Sequence, residues 1–162
     1  MVCDMHNIIF ENNAFDFVYS SLAIHYSKEP KKVYKEIYRI LKNDGKLLCS
    51  LVHPIRWASE NIMVDDVSIR AVGFSNDENN PSLIGKYSTF MEHEHYFPNY
   101  GTLKFWVGSP SLHFKLLKEA GFNIEDFVES QAIEETKKID SYYYDRYHEF
   151  PQFMAFLAKK SK

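Results

Sequence analysis

Residues 15–21, FDFVYSS, and residues 30–52, PKKVYKEIYRILKNDGKLLCSLV, decide the fold. The first stretch is aromatic and β-branched, follows Asn12-Asn13, and reads as a buried strand. In the second, Val33, Ile37, Ile40 and Leu41 recur at helical spacing, with Tyr34 and Tyr38 flanking them. Lys31, Lys32, Lys35, Glu36 and Arg39 take the other side, so the pattern predicts an amphipathic helix. Pro30 suits its first turn, and Gly45 after Asn43-Asp44 suits its stop. Residues 46–52, KLLCSLV, then form a second apolar strand that ends at His53-Pro54. Strand, helix and strand in this order predict a right-handed βαβ crossover between parallel strands. Both strands are apolar on both faces, so helices are expected on each side of the sheet.

Working outward, residues 55–108 break this rhythm. A polar loop, GFSNDENNPS (73–82), is surrounded by short strand-like runs at 67–72, 86–97 and 102–107. The stretch predicts a small antiparallel insertion or lid. Ser109 and Pro110 then read as the cap and first position of a helix that Gly121 stops, with Leu112, Leu116, Leu117 and Ala120 as its buried stripe. Residues 123–129 predict a third strand, 132–150 a polar and partly helical connector, and 151–158 a fourth strand. No repeat is visible.

The chain has 162 residues, 45% apolar and 25% charged, with a net charge of -3. This is the balance of a single globular domain and argues against a broad nucleic-acid surface. Lys31, Lys32 and Lys35 share one helix but are interleaved with acids, which reads as a solvated face. Two cysteines, Cys3 and Cys49, make neither a disulfide framework nor a zinc site by themselves. No run approaches the roughly 20 apolar residues of a membrane span, and the first ten residues lack a signal-peptide pattern. The expectation is a cytoplasmic protein with no membrane and no nucleic-acid partner.

Four segments in order, FDFVYSSLAIHY, IYRILKNDGKLLCSLVHPI, LLKEAGFNIEDFVES and PQFMAFLAKK, make the chain resemble the C-terminal part of a class I S-adenosylmethionine-dependent methyltransferase. The closest likeness is to the small-molecule, type 11-like branch that carries a SxxHP turn, here Ser50 to Pro54. The resemblance covers essentially the whole chain. It implies an α/β, partial Rossmann-like fold with strands equivalent to the family's 4, 5, 6 and 7, flanking helices, and the lid insertion at 55–108. In that family the first strand ends in a Gly-rich loop and the second in an acid for the ribose. The six glycines here, at 45, 73, 85, 101, 108 and 121, include no G-x-G spacing. The chain is therefore expected to be a single methyltransferase-like domain, 1–162, truncated at its N-terminus.

The resemblance also implies site residues. Asp4 matches the acid that accepts from the adenine amino group, and Met5 is the neighbour beside the ring. Ser21, Leu22 and Ala23 would line the methionine moiety of S-adenosylmethionine. His25 is the candidate general base, because an imidazole titrates near neutrality. Tyr26, His53, Trp57 and Tyr96 are the candidate substrate contacts. A plainer reading stands beside each of two of these: His25 packing beneath the lid, and the His53 ring capping the turn before Pro54. Asp16, at the start of the first strand, reads as structural. His93 and His95 would share one strand face, but two histidines without a third ligand make no metal site. The tyrosines at 142, 143, 144 and 147 are too dense for one buried face.

Two functions remain in view. One is methyl transfer to a small molecule, with the missing cofactor structure supplied by another chain or a dimer. The other is a non-catalytic methyltransferase-like binding or oligomerisation module. Since the first strand here would have an unpaired apolar edge, a homodimer or a complementing chain is expected along it.

Overall fold

The computed structural model describes residues 2–161. The chain runs β1 (Phe15–Ser21), a 3-10 turn (Ile24–Tyr26), α1 (Pro30–Ile40), β2 (Leu41–Val52), α2 (Pro54–Trp57), β3 (Glu60–Val64), β4 (Val67–Ala71), β5 (Gly73–Phe74), β6 (Leu83–Ile84), β7 (Met91–Phe97), β8 (Gly101–Val107), α3 (Pro110–Ala120), β9 (Phe122–Glu129), α4 (Glu134–Ile139), α5 (Ser141–Tyr147) and β10 (Phe153–Lys160). Four strands make one sheet in the order β1-β2-β10-β9. β1 and β2 are parallel, with Val18 opposite Leu47 and Ser20 opposite Cys49, as the βαβ pattern predicts. β10 is antiparallel to both its neighbours. The fold is α/β and Rossmann-like, with small antiparallel hairpins.

The core lies between one face of the sheet and the two long helices. Leu47, Cys49 and Leu51 pair with Ala158, Phe156 and Met154, and all six are at most 1% exposed. Burying each of the large side chains contributes about 1.5–3 kcal/mol. α1 adds Val33, Tyr34, Ile37 and Ile40 to this layer, and α3 adds His113 and Leu117. Tyr34, expected to flank the stripe, is completely buried, and its hydroxyl meets His113 Nδ1 at 2.9 Å. Burial pushes the neighbouring Cys49 thiol up to about 12, so it remains an inert, protonated core group. The α3 caps form as predicted: Ser109 Oγ accepts from the Leu112 N–H at 3.3 Å, and Gly121 takes the left-handed conformation, φ 107. Its stripe is narrower than predicted, for Leu112, Leu116 and Ala120 are only half-buried.

Three further expectations change. α1 stops at Ile40 rather than Gly45, because Leu41 turns extended and pairs with Phe15. Residues between Leu41 and Lys46 then bulge, since Phe17 pairs with Lys46. Gly45 serves this bulge and not a helix end: a Cβ there would meet the Lys42 carbonyl oxygen at 2.8 Å. Lys160, 8% exposed, takes over the capping, donating from Nζ to the carbonyls of Tyr38 and Leu41 at 2.9 and 2.7 Å. The last strand begins at Phe153 and ends at Lys160, two residues later than predicted at each end. Finally, helices do not flank β1 on both faces. Phe17 and Tyr19 are 52% and 62% exposed, so among the described residues nothing covers that side.

The insertion is built from three separate two-stranded hairpins, β3-β4, β5-β6 and β7-β8, rather than one small sheet. Asp65 and Asp66 turn the first, both with positive φ, the backbone that a tight right-twisting hairpin needs. The segment 73–82, read as a loop, contributes Gly73–Phe74 to the second. The insertion's own core is small: Trp57, Phe105 and Val107 pack on Val52, with Phe97 and Phe153 at the edge. Among the described residues no helix is long and apolar enough to cross a membrane.

Candidate functional site

β1 and β2 run parallel, so their C-terminal ends open on the same edge of the sheet. Such edges are where open α/β sheets bind ligands. At the end of β1 the backbone makes an unusual turn: Leu22 sits at φ 47, left-handed for a side chain that disfavours it. Its N–H is held by the carbonyl and hydroxyl of Ser50 on β2, at 3.2 and 3.1 Å. Two strand ends are thereby locked together and the chain is thrown into the turn that carries His25 and Tyr26. At the end of β2, His53 and Pro54 start α2, which swings Trp57 over the same edge.

Between them lies a crevice of about 260 Å³, whose walls include Leu22, His25, Tyr26, Val52, Trp57 and Phe105. It is mostly apolar and roofed by the β7-β8 hairpin. His25 is 5% exposed, with its ring against Tyr26 and Phe105. Burial pulls its pKa down to about 4, so the imidazole is neutral at physiological pH. Among the described residues two buried side-chain polar atoms lack a hydrogen-bond partner, His25 Nδ1 and Trp57 Nε1. Both belong to residues that line this crevice. Buried polar atoms are nearly always satisfied, so two orphans in one wall set this region apart, although both atoms are themselves closed to solvent in this conformation.

The structure brings Leu22, His25, Tyr26 and Trp57 together, and leaves other candidates elsewhere. His53 is 2% exposed and already committed. Its Nδ1 accepts from the Ile55 N–H at 3.2 Å, so Nε2 carries the proton and donates to Glu129 at 2.8 Å. Burial lowers its pKa, with Glu129 opposing. Tyr96, 63% exposed, points away on the outer face of β7. His93 and His95 do share the inner face, where both rings touch Trp57. Asp16 pairs with Lys42 at 2.8 Å on the surface.

Ser21 is exposed, and Ala23 is half-buried beside Leu22. Met5 packs on the sheet core and lines a shallow apolar hollow with Ile8, Phe15 and Phe17. Asp4 Oδ1 accepts from both the backbone N–H and Nδ1 of His6, at 2.8 and 2.7 Å. The backbone bond first, then the ring, hold its carboxyl below the usual range. His6 Nε2 in turn meets Ser27 Oγ at 2.6 Å, a contact the sequence did not suggest. Ser27 is 2% exposed and also accepts from the Glu29 N–H. The relay therefore ties the N-terminal segment to the turn after β1; it does not present a nucleophile. Arg56, Phe97, His95 and Gln152 also line the crevice. Of these, Arg56 and Gln152 carried no signal in the sequence.

A family profile described as "Methyltransferase domain" matches residues 1–49. No curated protein sequence matches the chain. Among solved structures, an S-adenosylmethionine-dependent methyltransferase from Mesorhizobium loti is 18% identical, with a TM-score of 0.74 over 98% of this chain and 67% of that one. A second, from Listeria monocytogenes, is 19% identical with a TM-score of 0.72, over 98% and 67%. The [4+2]-cyclase SpnF is 16% identical with a TM-score of 0.56, over 99% of this chain and 55% of that one. The chain thus spans about two thirds of the length of the first two and just over half of the third. It has the fold of the S-adenosylmethionine-dependent methyltransferases, and its first 49 residues match their domain. The cyclase is a reminder that this fold alone does not specify a reaction.

Proposed function

We propose that the chain is the substrate-side part of a methyltransferase that moves a methyl group from S-adenosylmethionine to a small molecule. The apolar crevice at the ends of the two parallel strands, walled by His25, Tyr26 and Trp57, carries this reading. On the cofactor side the residues present fit in part. Asp4 is ionised and its Oδ2 bears no hydrogen bond from the described residues, so it can accept from an adenine amino group. Met5 gives that ring an apolar neighbour, and Ser21, Leu22 and Ala23 would line the methionine end. The Gly-rich turn is absent from these 162 residues. This reading assigns it to polypeptide outside them, in the same protein or in a different, complementing chain paired along β1.

S-adenosylmethionine, when bound, supplies an electrophilic methyl group. The chain's own residues hold the nucleophile. Trp57 and Phe105 wall the crevice and exclude water. His25, neutral at physiological pH, accepts a hydrogen bond from the nucleophile's O–H or N–H and aligns it. A group titrating near 4 is a poor base at pH 7, so the proton released on transfer leaves to bulk water at the crevice mouth, and alignment alone lowers much of the barrier. Tyr26 stands at the mouth. The setting is cytoplasmic on this reading, with no nucleic acid involved.

Calorimetric titration with S-adenosylhomocysteine tests the assignment. Binding should weaken about tenfold or more in Asp4→Ala, the loss of one charge-assisted hydrogen bond. Unchanged affinity removes Asp4 from the site, and no binding by the whole protein, with any polypeptide outside these 162 residues present, removes the cofactor reading. A second reading keeps the fold as a non-catalytic docking module. The uncovered face with Phe17 and Tyr19 favours it, and it predicts self-association or partner binding with no affinity for S-adenosylhomocysteine.

A further inference from the structure

Three of the four arginines in the chain, Arg56, Arg70 and Arg146, line a single cavity of about 490 Å³ beside the crevice. They come from α2, β4 and α5, far apart in sequence. No acidic residue lines this cavity, although acids outnumber Lys and Arg, 22 to 19, in the whole chain. The fourth arginine, Arg39, is paired with Glu36 at 2.8 Å. Arg56, Arg70 and Arg146 form no ion pair among the described residues and bond only to neutral groups. Arg56 Nη1 donates to Tyr147 Oη at 3.1 Å, Arg70 Nη1 to the Arg56 carbonyl at 3.0 Å, and Arg146 Nη1 to Tyr142 Oη at 2.9 Å.

Aromatic faces hold two of the three guanidiniums in place. Arg56 lies 4.9 Å over the Trp57 ring and 5.4 Å over Tyr147, and Arg146 lies 5.6 Å over Tyr147. Each guanidinium has five N–H donors, of which these bonds use one. Three converging cations repel one another, and an anion among them would relieve that repulsion. Planar forks already oriented by stacking are suited to carboxylate or phosphate oxygens. Arg56, Trp57 and His95 form a wall common to this cavity and the crevice, so one ligand can occupy both.

We infer that the substrate is an anionic small molecule, whose apolar body lies in the crevice while its carboxylate or phosphate sits among Arg56, Arg70 and Arg146. The inference rests on the methyl-transfer reading for what happens to the body, but not for the anion site itself. The test is calorimetric titration of the protein with phenyl phosphate, benzoate and benzyl alcohol, without S-adenosylmethionine. The anions should bind at least about tenfold more tightly than benzyl alcohol, and added salt should weaken them. Arg70 and Arg146 are exposed, so Arg70→Gln and Arg146→Gln should leave the melting temperature unchanged. Each should weaken anion binding about tenfold. Lys115→Gln removes the same charge from the exposed side of α3 and should leave affinity unaltered.

Tighter binding of phenyl phosphate assigns a phosphate, and equal or tighter binding of benzoate a carboxylate. Benzyl alcohol binding as well as the anions, no anion binding, or unchanged affinity in both arginine variants overturns the inference. A separate titration with S-adenosylhomocysteine keeps the two readings apart. Arginine-dependent anion binding without it leaves the anion site standing and removes methyl transfer. The reverse pattern removes only the anion site.

Discussion

The central sheet and the hairpin insertion are held together in different ways. In the sheet, β2 is paired on both sides, and its inward row meets the inward row of β10 over α1 and α3. The hairpins pair only with themselves, and among the described residues one buried cluster anchors β7-β8, with Phe105 and Val107 against Trp57, Val52 and Phe153. The sheet thus supplies a rigid floor, and the insertion a roof attached along one seam. The candidate site lies on that seam. A substrate pocket is served by this division, since the floor sets the geometry while the roof can vary and open.

Cutting one side chain in each region should expose the largest difference between them. Phe156→Ala, in the sheet core, should cost about 3–5 kcal/mol in denaturant unfolding. Met63→Ala, on a hairpin residue 66% exposed, should stay within about 0.5 kcal/mol. Similar costs at both positions would show that the insertion is part of the main cooperative unit.

Acid probes the seam next. His25 and His113 are both pulled from 6.5 to about 4, mainly by burial. Their folded pKa values lie below the unfolded value, so their contribution is fully present above 6.5. It is lost as pH falls toward 4, because the unfolded chain then takes up protons that the folded chain refuses. Stability should drop by up to about 1.4 kcal/mol per pH unit for each histidine across that window. A flat stability curve between 6.5 and 4 would contradict their burial.

Hydrogen exchange gives a smaller contrast in free energy but resolves it by residue. Amides of β2 and β10 should exchange only on global unfolding, while those of β3 and β4 should open several kcal/mol sooner. Uniform protection would remove the distinction. The smallest effect is expected at Tyr96, which points outward: Tyr96→Ala should alter neither stability by more than about 0.5 kcal/mol nor the affinity for S-adenosylhomocysteine. Weakened binding would return it to the site.

The sequence revealed the floor much better than the roof, for a physical reason. Helical and alternating periodicity record burial against a large neighbour, and β1, α1, β2 and α3 all have one. Periodicity could not show that β1 is covered on one face only, since Phe17 and Tyr19 look the same whether or not something lies over them. Gly45 was visible, but its reason was not: a close approach to a carbonyl leaves the same letter as a helix stop. At the site, His25 and Trp57 were legible as neighbours of strand ends. Tyr96 was misplaced by its aromatic character, when its alternation with His95 puts it outside. The arginine cavity was illegible, because residues 56, 70 and 146 meet only through the hairpin and α5.

The most direct test of the account is an amide and indole NMR map on adding S-adenosylhomocysteine. The predicted result is movement at Asp4, Met5 and Ser21 to Ala23, with Phe17 and Tyr19 on the open face undisturbed. Shifts confined to that open face, or none at millimolar ligand, would contradict the assignment of the strand ends as the site of methyl transfer.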